Sequence, residues 1–467
     1  MVEAIDRKMI LLITGIAAFI TPFLGASMNV ALPQVGAEFQ PDAVLLGWVV
    51  TAYLLSTAIF IVPFGRLSDM YGRRIVFIAG MTATAVFTLM SAVSDTIWLL
   101  LLSRVLQGIG SAMIFGTSVA ILTSSFPPKD RGKVLGINVA LVYLGLSLGP
   151  VVGGIITQQV GWRYIFVLNG VLSLIALGFT LWKLKEDVQC AEKAPFDIGG
   201  CAIYGIMLFA LMYGLSLLPD ISGAFWIVGG LVALAIFIWW ELRHKAPVVK
   251  LSLFVNNVSF TFSNAAALIN YSATFSVSFL LSLYLQYIKG MDPQTAGLIL
   301  IAAPVMQAVL SPLAGRLSDR MEPQYVASAG MAITTVGLLL FTLLSSETSL
   351  LYIVGSLILI GLGFALFSSP NTNAIMSSVD RCDYGVASGM VSTMRLVGQM
   401  LSLGIAMLTF SVFIGRVQIT PEQYPLLITS IKVAFIISAV LCAAGILASM
   451  ARGKMRKNTS EPVVQKA

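Results

Sequence analysis

Charge is scarce in this chain. Aspartate, glutamate, lysine and arginine together supply 10% of its 467 residues, against about 25% in an average soluble domain. So few charged groups cannot cover a water-soluble globule of this size. Histidine occurs once, as His244 in the charged stretch ELRHKAP. That setting favours a solvated side chain over a catalytic one, because a histidine site needs partners. The four cysteines are Cys190, Cys201, Cys382 and Cys442. None is spaced as CxxC, which argues against a zinc site or a redox dithiol and for free thiols that pack as small apolar groups. The patterns HExxH and the P-loop are also missing. Their absence argues against an enzyme and against direct drive by ATP. No cofactor, resident metal or nucleic-acid partner is expected.

What the chain has instead is apolar length. Hydrophobic residues make up 58% of it. A helix needs about 20 apolar residues to cross a bilayer, and by that measure fourteen runs qualify, from 9–32 at the start to 426–450 at the end. They are apolar all round, as helices embedded in lipid must be. The first run is long and has no small-residue cleavage pattern, unlike a signal peptide. With the N-terminus inside, most of the 28 Lys and Arg residues fall on one side of the membrane, and only Arg163, Lys289, Arg416 and Lys432 fall on the other. This asymmetry follows the positive-inside rule and puts both termini in the cytoplasm. Arg104 and Arg395 lie within apolar runs.

One charged string is spelled twice. GRLSD occupies Gly65–Asp69 and again Gly315–Asp319, 250 positions later. Each copy is placed after the second helix of a six-helix group, on the side rich in lysine and arginine, so the chain contains an internal repeat. Transporters often consist of two such halves with the substrate between them. Six spans with short connections need roughly 180–190 residues, which leaves a surplus of about 60. The apolar runs 197–218 and 223–240 fill it. The reading is an all-α polytopic membrane protein of fourteen transmembrane helices arranged as six plus two plus six. Residues 1–190 form an N-terminal six-helix bundle, 191–250 carry two additional helices, 251–450 form a C-terminal six-helix bundle, and 451–467 form a disordered cytoplasmic tail. The two extra helices, apolar throughout, are expected to pack peripherally between the halves. Gly65 and Gly315 are expected to end helices and admit a neighbouring backbone. The Arg and Asp beside them can pair with each other or with a helix end, as a cytoplasmic gate requires.

GRLSDMYGRR (Gly65–Arg74) resembles the loop motif of the major facilitator superfamily, with Gly65, Arg66, Asp69, Gly72, Arg73 and Arg74 in place. The second copy keeps Gly315, Arg316 and Asp319 and then departs into MEPQ. LLSRVLQGIGSA (Leu101–Ala112) resembles that family's fourth-helix motif, with Arg104 and Gln107. LGLSLGPVVGG (Leu144–Gly154) resembles the fifth-helix motif of its antiporters, with Gly145, Gly149, Pro150, Gly153 and Gly154. NVALP (Asn29–Pro33), WRYIFVLN (Trp162–Asn169) and YLQYIKGMDPQTAGL (Tyr284–Leu298) are similar to further landmarks of its 14-helix drug:proton antiporters. The resemblance implies the major facilitator fold, with two pseudo-symmetric six-helix bundles. It also implies multidrug efflux across a bacterial or archaeal plasma membrane, by alternating access and in exchange for protons. It gives Arg104 a part in proton coupling and the glycine strip a part in sealing the outer side. A small-molecule substrate, protons and the lipid bilayer are the implied partners, and a monomer is expected.

The residues themselves add detail. Gln107 lies one turn from Arg104 on the same helix face, so the two can share a polar pocket. Glycines four apart at 145, 149 and 153 make a smooth strip that lets helices approach, and Pro150 adds a bend. Candidates for lining a substrate pocket are Asn29, Tyr53, Asn270, Tyr271, Asn371, Asn373 and Arg395, with interhelical hydrogen bonding as the competing role for each polar group and snorkelling as that for Arg395. The resemblance breaks at one point. In the family an Asp usually stands five residues before NVALP, and here the residue is Leu24. All 21 acids fall in loops or at span ends, and Asp197 reads as a helix N-cap. Proton coupling must then use a span-end acid or pass through Arg104. The alternative is a facilitator or exporter of a specific metabolite or organic anion without proton coupling.

Overall fold

A computed structural model describes residues 2–126, 128–183, 196–244, 251–379 and 384–453. Cys190, Cys382 and the tail beyond Gly453 lie outside the described residues, as do the side chains of Asp69 and Asp319. The described residues contain helices and no strand. In chain order the helices are α1 (Val2–Phe39), α2 (Ala43–Tyr71), α3 (Arg73–Ala92), α4 (Ile97–Ser125), α5 (Pro128–Gln159), α6 (Arg163–Lys183), α7 (Ile198–Leu217) and α8 (Ile221–Arg243). There follow α9 (Leu251–Asn256), α10 (Val258–Thr274), α11 (Ser276–Leu283), α12 (Pro293–Leu300), α13 (Ala302–Arg320), α14 (Pro323–Phe341), α15 (Leu350–Ser377), α16 (Tyr384–Phe413) and α17 (Tyr424–Ala451). Fourteen spans among them are long and apolar enough to cross a membrane. The ninth, Val258–Ile288, joins α10, α11 and a π-turn, and the tenth, Pro293–Ser318, joins α12 and most of α13.

The packing repeats. Helix α1 lies on α5, α2 on α4, and α3 on both α4 and α6. In the same order α10 lies on α16, α13 on α15, and α14 on both α15 and α17. The repeat extends to single atoms. A Cβ on Gly110 would lie 2.8 Å from Thr84 N and 3.0 Å from Gly80 O. A Cβ on Gly363 would lie 2.6 Å from Thr334 N and 2.7 Å from Gly330 O. Only glycine at both positions allows α3 and α14 to cross α4 and α15 this closely.

The GRLSD strings differ from expectation. Gly65 and Gly315 do not end helices: α2 runs on to Tyr71 and α13 to Arg320. One glycine costs a helix only about 1 kcal/mol relative to alanine, which packing offsets. Nor is Gly65 the residue that admits the neighbour: a Cβ there would meet nothing within 4 Å, whereas one on the facing Gly116 would sit 3.0 Å from Gly65 N. In both copies the serine hydroxyl donates to the glycine carbonyl, Ser68 to Gly65 at 2.7 Å and Ser318 to Gly315 at 2.8 Å. The helix end falls on Gly72, whose φ of 107° is a conformation that favours glycine.

Helices α7 and α8 sit at the seam. α7 packs on α2 of the first half and α16 of the second, and α8 packs on α7. Tyr204 donates to Ala58 O at 3.2 Å, and Ser411 donates to Leu218 O. The outer face of α8 exposes Phe225, Val228, Val232 and Trp239, as a lipid-facing helix does. Asp197 caps α7 by accepting from Gly200 N at 2.8 Å. Its carboxylate also accepts from Trp240 Nε1 at 2.9 Å and lies 3.5 Å from His244 Nδ1. His244 stacks on Trp240, so it is held by the end of α8 and is not the freely solvated side chain its charged neighbours suggest. Cys201 and Cys442 are free thiols.

Candidate functional site

A cavity of about 760 Å³ lies between the two halves. Helices α1, α2, α4 and α5 line it from one side, and α10, α11, α13, α15 and α16 from the other. Its lining on α4 (114–119), α15 (360–376) and α16 (391–399) falls in the parts of these helices nearer the GRLSD end of the molecule. The opposite end is closed by contacts between the halves. Gln286 Nε2 donates to Val30 O at 2.9 Å, Ala43 N to Val417 O at 3.0 Å, and Gln418 Nε2 to Gln40 O at 2.8 Å.

The glycine strip of α5 builds both the wall and the closure. A Cβ on Gly145 would lie 2.6 Å from Phe19 O, one on Gly149 2.9 Å from Phe23 O, and one on Gly153 2.6 Å from Ser27 Cβ. These three glycines bring α5 against α1, and Ser27 Oγ donates to Gly149 O at 2.9 Å. Gly154 points elsewhere: its Cβ would lie 2.5 Å from Pro293 O of α12. The Pro150 carbonyl meets Gly297 of α12 in the same seam. With that face of α5 committed, its other face carries Val142, Tyr143, Leu146 and Pro150 into the cavity.

Of the pocket candidates, Asn29, Tyr53, Tyr271, Asn373 and Arg395 line the cavity. Asn270 and Asn371 do not. Asn270 is fully buried on α10 among neighbouring helices, and Asn371 Nδ2 donates to Ser263 O at 3.1 Å, an interhelical bond. Sequence reasoning missed Tyr143, Gln307 and Ser368. Tyr143 and Ser368 hydroxyls lie 2.6 Å apart and bridge the halves. Gln307, the one amide in PVMQAVLSP, was visible as a polar residue in an apolar run. Tyr143 was visible as a polar ring on the face opposite the glycines.

Arg104 and Gln107 meet as expected, but outside the cavity. Arg104 has no exposed surface. Its Nε donates to Val49 O at 3.0 Å and its Nη1 to Gln107 Oε1 at 2.6 Å, while Gln107 Nε2 donates to Thr88 Oγ1 at 2.5 Å. The guanidinium lies 4.4 Å from the centre of the Tyr53 ring. It thus ties α4 to α2 and α3, and Tyr53 is the one cavity-lining residue it touches in these contacts. Leu24 is buried, and among the described residues the cavity lining contains no carboxylate and one charged side chain, that of Arg395. Its guanidinium lies 5.6 Å from the centre of the Tyr271 ring, and its buried Nε has no hydrogen-bond partner. In the gate strings Arg66 is half-buried and Arg316 exposed, and Arg73 Nη1 donates to Ala120 O of α4 at 3.3 Å. Among the described residues no group of three or more His, Cys, Asp or Glu side chains is placed to hold a metal ion.

Known proteins resemble the chain over most of its length. It is 30% identical over 415 residues to Riboflavin transporter RibZ of Clostridioides difficile, covering 88% of this chain and 89% of that one. It is 31% identical over 404 residues to Multidrug resistance protein Stp of Mycobacterium tuberculosis, covering 85% and 74%. In structure it matches a bacterial homolog of the human lysosomal transporter Spinster in an inward-facing, unoccupied conformation, with a TM-score of 0.68 and 15% identity over 96% of this chain and 97% of that one. The profile of the Major Facilitator Superfamily matches residues 14–197 and 264–466. Helices α7 and α8 fall between the two matched segments. Repeated packing, a cavity between the halves and this profile agree: the chain belongs to the Major Facilitator Superfamily, a family of transporters.

Proposed function

We propose that this protein is a secondary active transporter that exports lipophilic, drug-like compounds from the cytoplasm by alternating access, in exchange for protons. The observation that carries the reading is the cavity itself. It is lined by both halves, reaches toward one end of the molecule, and is closed at the other by contacts that must part if the halves rock. Arg66, Arg73, Arg74, Arg316 and Arg320 lie near the end toward which it reaches, which by the positive-inside rule faces the cytoplasm. Relatives named for multidrug resistance support a drug-like cargo. The mostly apolar lining, with Phe115, Phe275 and Phe364, suits lipophilic compounds.

No carboxylate lines the cavity among the described residues, so the exchange is assigned elsewhere: to an acid at a span end, Asp69 first, or to an indirect route through the buried Arg104. The test is proton flux in liposomes that contain the purified protein and carry an imposed pH gradient, with neutral, anionic and cationic lipophilic compounds added singly. Dissipation that depends on the compound and is lost in Asp69→Asn or Arg104→Ala supports exchange. Compound movement without proton movement refutes it and makes the protein a facilitator.

A further inference from the structure

We propose that the cavity selects amphipathic organic anions, with Arg395 as their counter-ion and the Tyr271–Phe364 pair as the wall against which their apolar part rests. This inference rests on the transport reading and names its substrate class.

Three observations carry it. First, the sign of the field is fixed. Among the described residues that line the cavity Arg395 is the one that carries a charge, and it takes no part in the ion pairs of Arg163 with Glu38 and His244 with Asp197. A charge in a membrane interior is costly unless paired, so an entering anion gains what the protein itself does not supply, and a cation meets only repulsion. Second, unspent donors converge there. Arg395 Nε and Gln307 Nε2 are buried without hydrogen-bond partners, and both residues line the cavity. The Tyr143 hydroxyl, from the other half, lines the same cavity and lies 2.6 Å from the Ser368 hydroxyl, with either able to donate. Donors from α13 and α16 and a hydroxyl from α5 suit an acceptor-rich group such as a sulfonate or carboxylate. Third, an aromatic wall adjoins the charge. Arg395 lies over Tyr271, and Tyr271 meets Phe364 edge to face with centroids 5.5 Å apart. A flat apolar ring attached to the anionic group would rest there.

The test uses three compounds of one shape: 1-naphthalenemethanesulfonate, 1-naphthalenemethanol and 1-naphthylmethylammonium. Binding to the full chain in phosphatidylcholine nanodiscs, which offer no anionic lipid as competitor, is measured by calorimetry. The wild type is expected to bind the sulfonate at least about 10-fold more tightly than the alcohol, and the ammonium least, since one charge-assisted hydrogen-bonded contact corresponds to about 10–100-fold in affinity. Arg395→Gln should remove that preference while leaving the alcohol unchanged within about 3-fold, and Arg395→Lys should keep part of it. Gln307→Leu, which leaves the charge in place, should weaken the sulfonate less than Arg395→Gln. Equal binding of all three compounds by the wild type, tighter binding of the ammonium, no binding of the sulfonate, or an equal loss for all three in Arg395→Gln overturns the inference. Flux of the same compounds into liposomes separates the two readings. Transport of the alcohol or ammonium without charge preference refutes the anion site alone, and no flux of any of the three counts against transport of drug-like compounds.

Discussion

Replacing Gly154 by alanine should bias the protein toward the state in which its closed end opens. The Cβ would lie 2.5 Å from Pro293 O and 3.1 Å from Gln294 Cα, where comfortable contact is about 3.5 Å. The obstacle is backbone at the first turn of α12, which Asp292 caps through Thr295 N at 2.9 Å, so it cannot rotate away as a side chain would. Overpacking of this kind costs about 1–3 kcal/mol. If α5 and α12 part when the far end opens, the clash exists in one state only. The whole cost then becomes a difference between states and shifts their ratio by about 5- to 150-fold.

The control lies on the same helix. A Cβ on Gly145 would meet Phe19 O at 2.6 Å, an equal clash, but α1 and α5 belong to one half and stay together in either state. Gly145→Ala should lower stability and leave the balance of states alone. The assay is a distance distribution between spin labels at Val160 and Glu347, both exposed at the closed end, in a variant without native cysteines. Gly154→Ala should raise the longer-distance population and Gly145→Ala should not. An unchanged distribution in folded Gly154→Ala, or an equal shift in both variants, would refute the idea that α5 and α12 form the moving seam.

Two further outcomes follow from single groups. Arg104→Met strands Gln107 Oε1, so thermal unfolding in detergent should register a loss of about 1–3 kcal/mol; Arg104→Lys should recover only part, because an ammonium lacks the planar fork that reaches both Gln107 and Val49 O. Asp292 accepts from both the backbone N–H and the hydroxyl of Thr295, and these bonds hold its carboxyl below the ordinary carboxylate range. Its contribution is therefore full above that range and is lost as pH falls through the lower folded value. Asp292→Ala should cost about 1 kcal/mol at neutral pH, and the difference from wild type should shrink near pH 3; a difference unchanged with pH would refute the assignment.

The amino-acid sequence discloses the spans because the requirement of a bilayer is one-dimensional: about 20 apolar residues in a row. It discloses the repeat because one charged string, GRLSD, stands out against apolar spans at Gly65–Asp69 and Gly315–Asp319, whereas the matched glycine crossings at Gly110 and Gly363 show only in the packing. It conceals which way an apolar helix faces. Lipid and protein interior are equally apolar, so α5 reads alike all round until its glycines are known to lie on α1, and only then does Tyr143 point to the cavity. Asn270 and Asn371 looked as suitable as Asn29 for the same reason: an amide in an apolar run is placed by the helix beside it, not by its neighbours in sequence. The contact of His244 with Asp197 was not legible because the two are distant in the chain and meet only where α7 begins and α8 ends.

The two halves repeat their crossings and differ in what they do with them. Helices α5 and α16 hold corresponding places, each packed on the first helix of its half. On α5, three glycines press against α1 and a fourth touches the opposite half. On α16 close approach to α10 is left to Gly398, whose Cβ would lie 2.8 Å from Leu268 O, and Arg395 one turn before it lines the cavity. The same scaffold position thus supplies a smooth, uncharged closing surface in one half and a charge in the other. A symmetric pair of glycine strips would close the far end and leave the cavity without a charge, and a symmetric pair of arginines would repel each other across it. The asymmetry between α5 and α16 allows one half to form the seam while the other sets the sign of the field in the cavity.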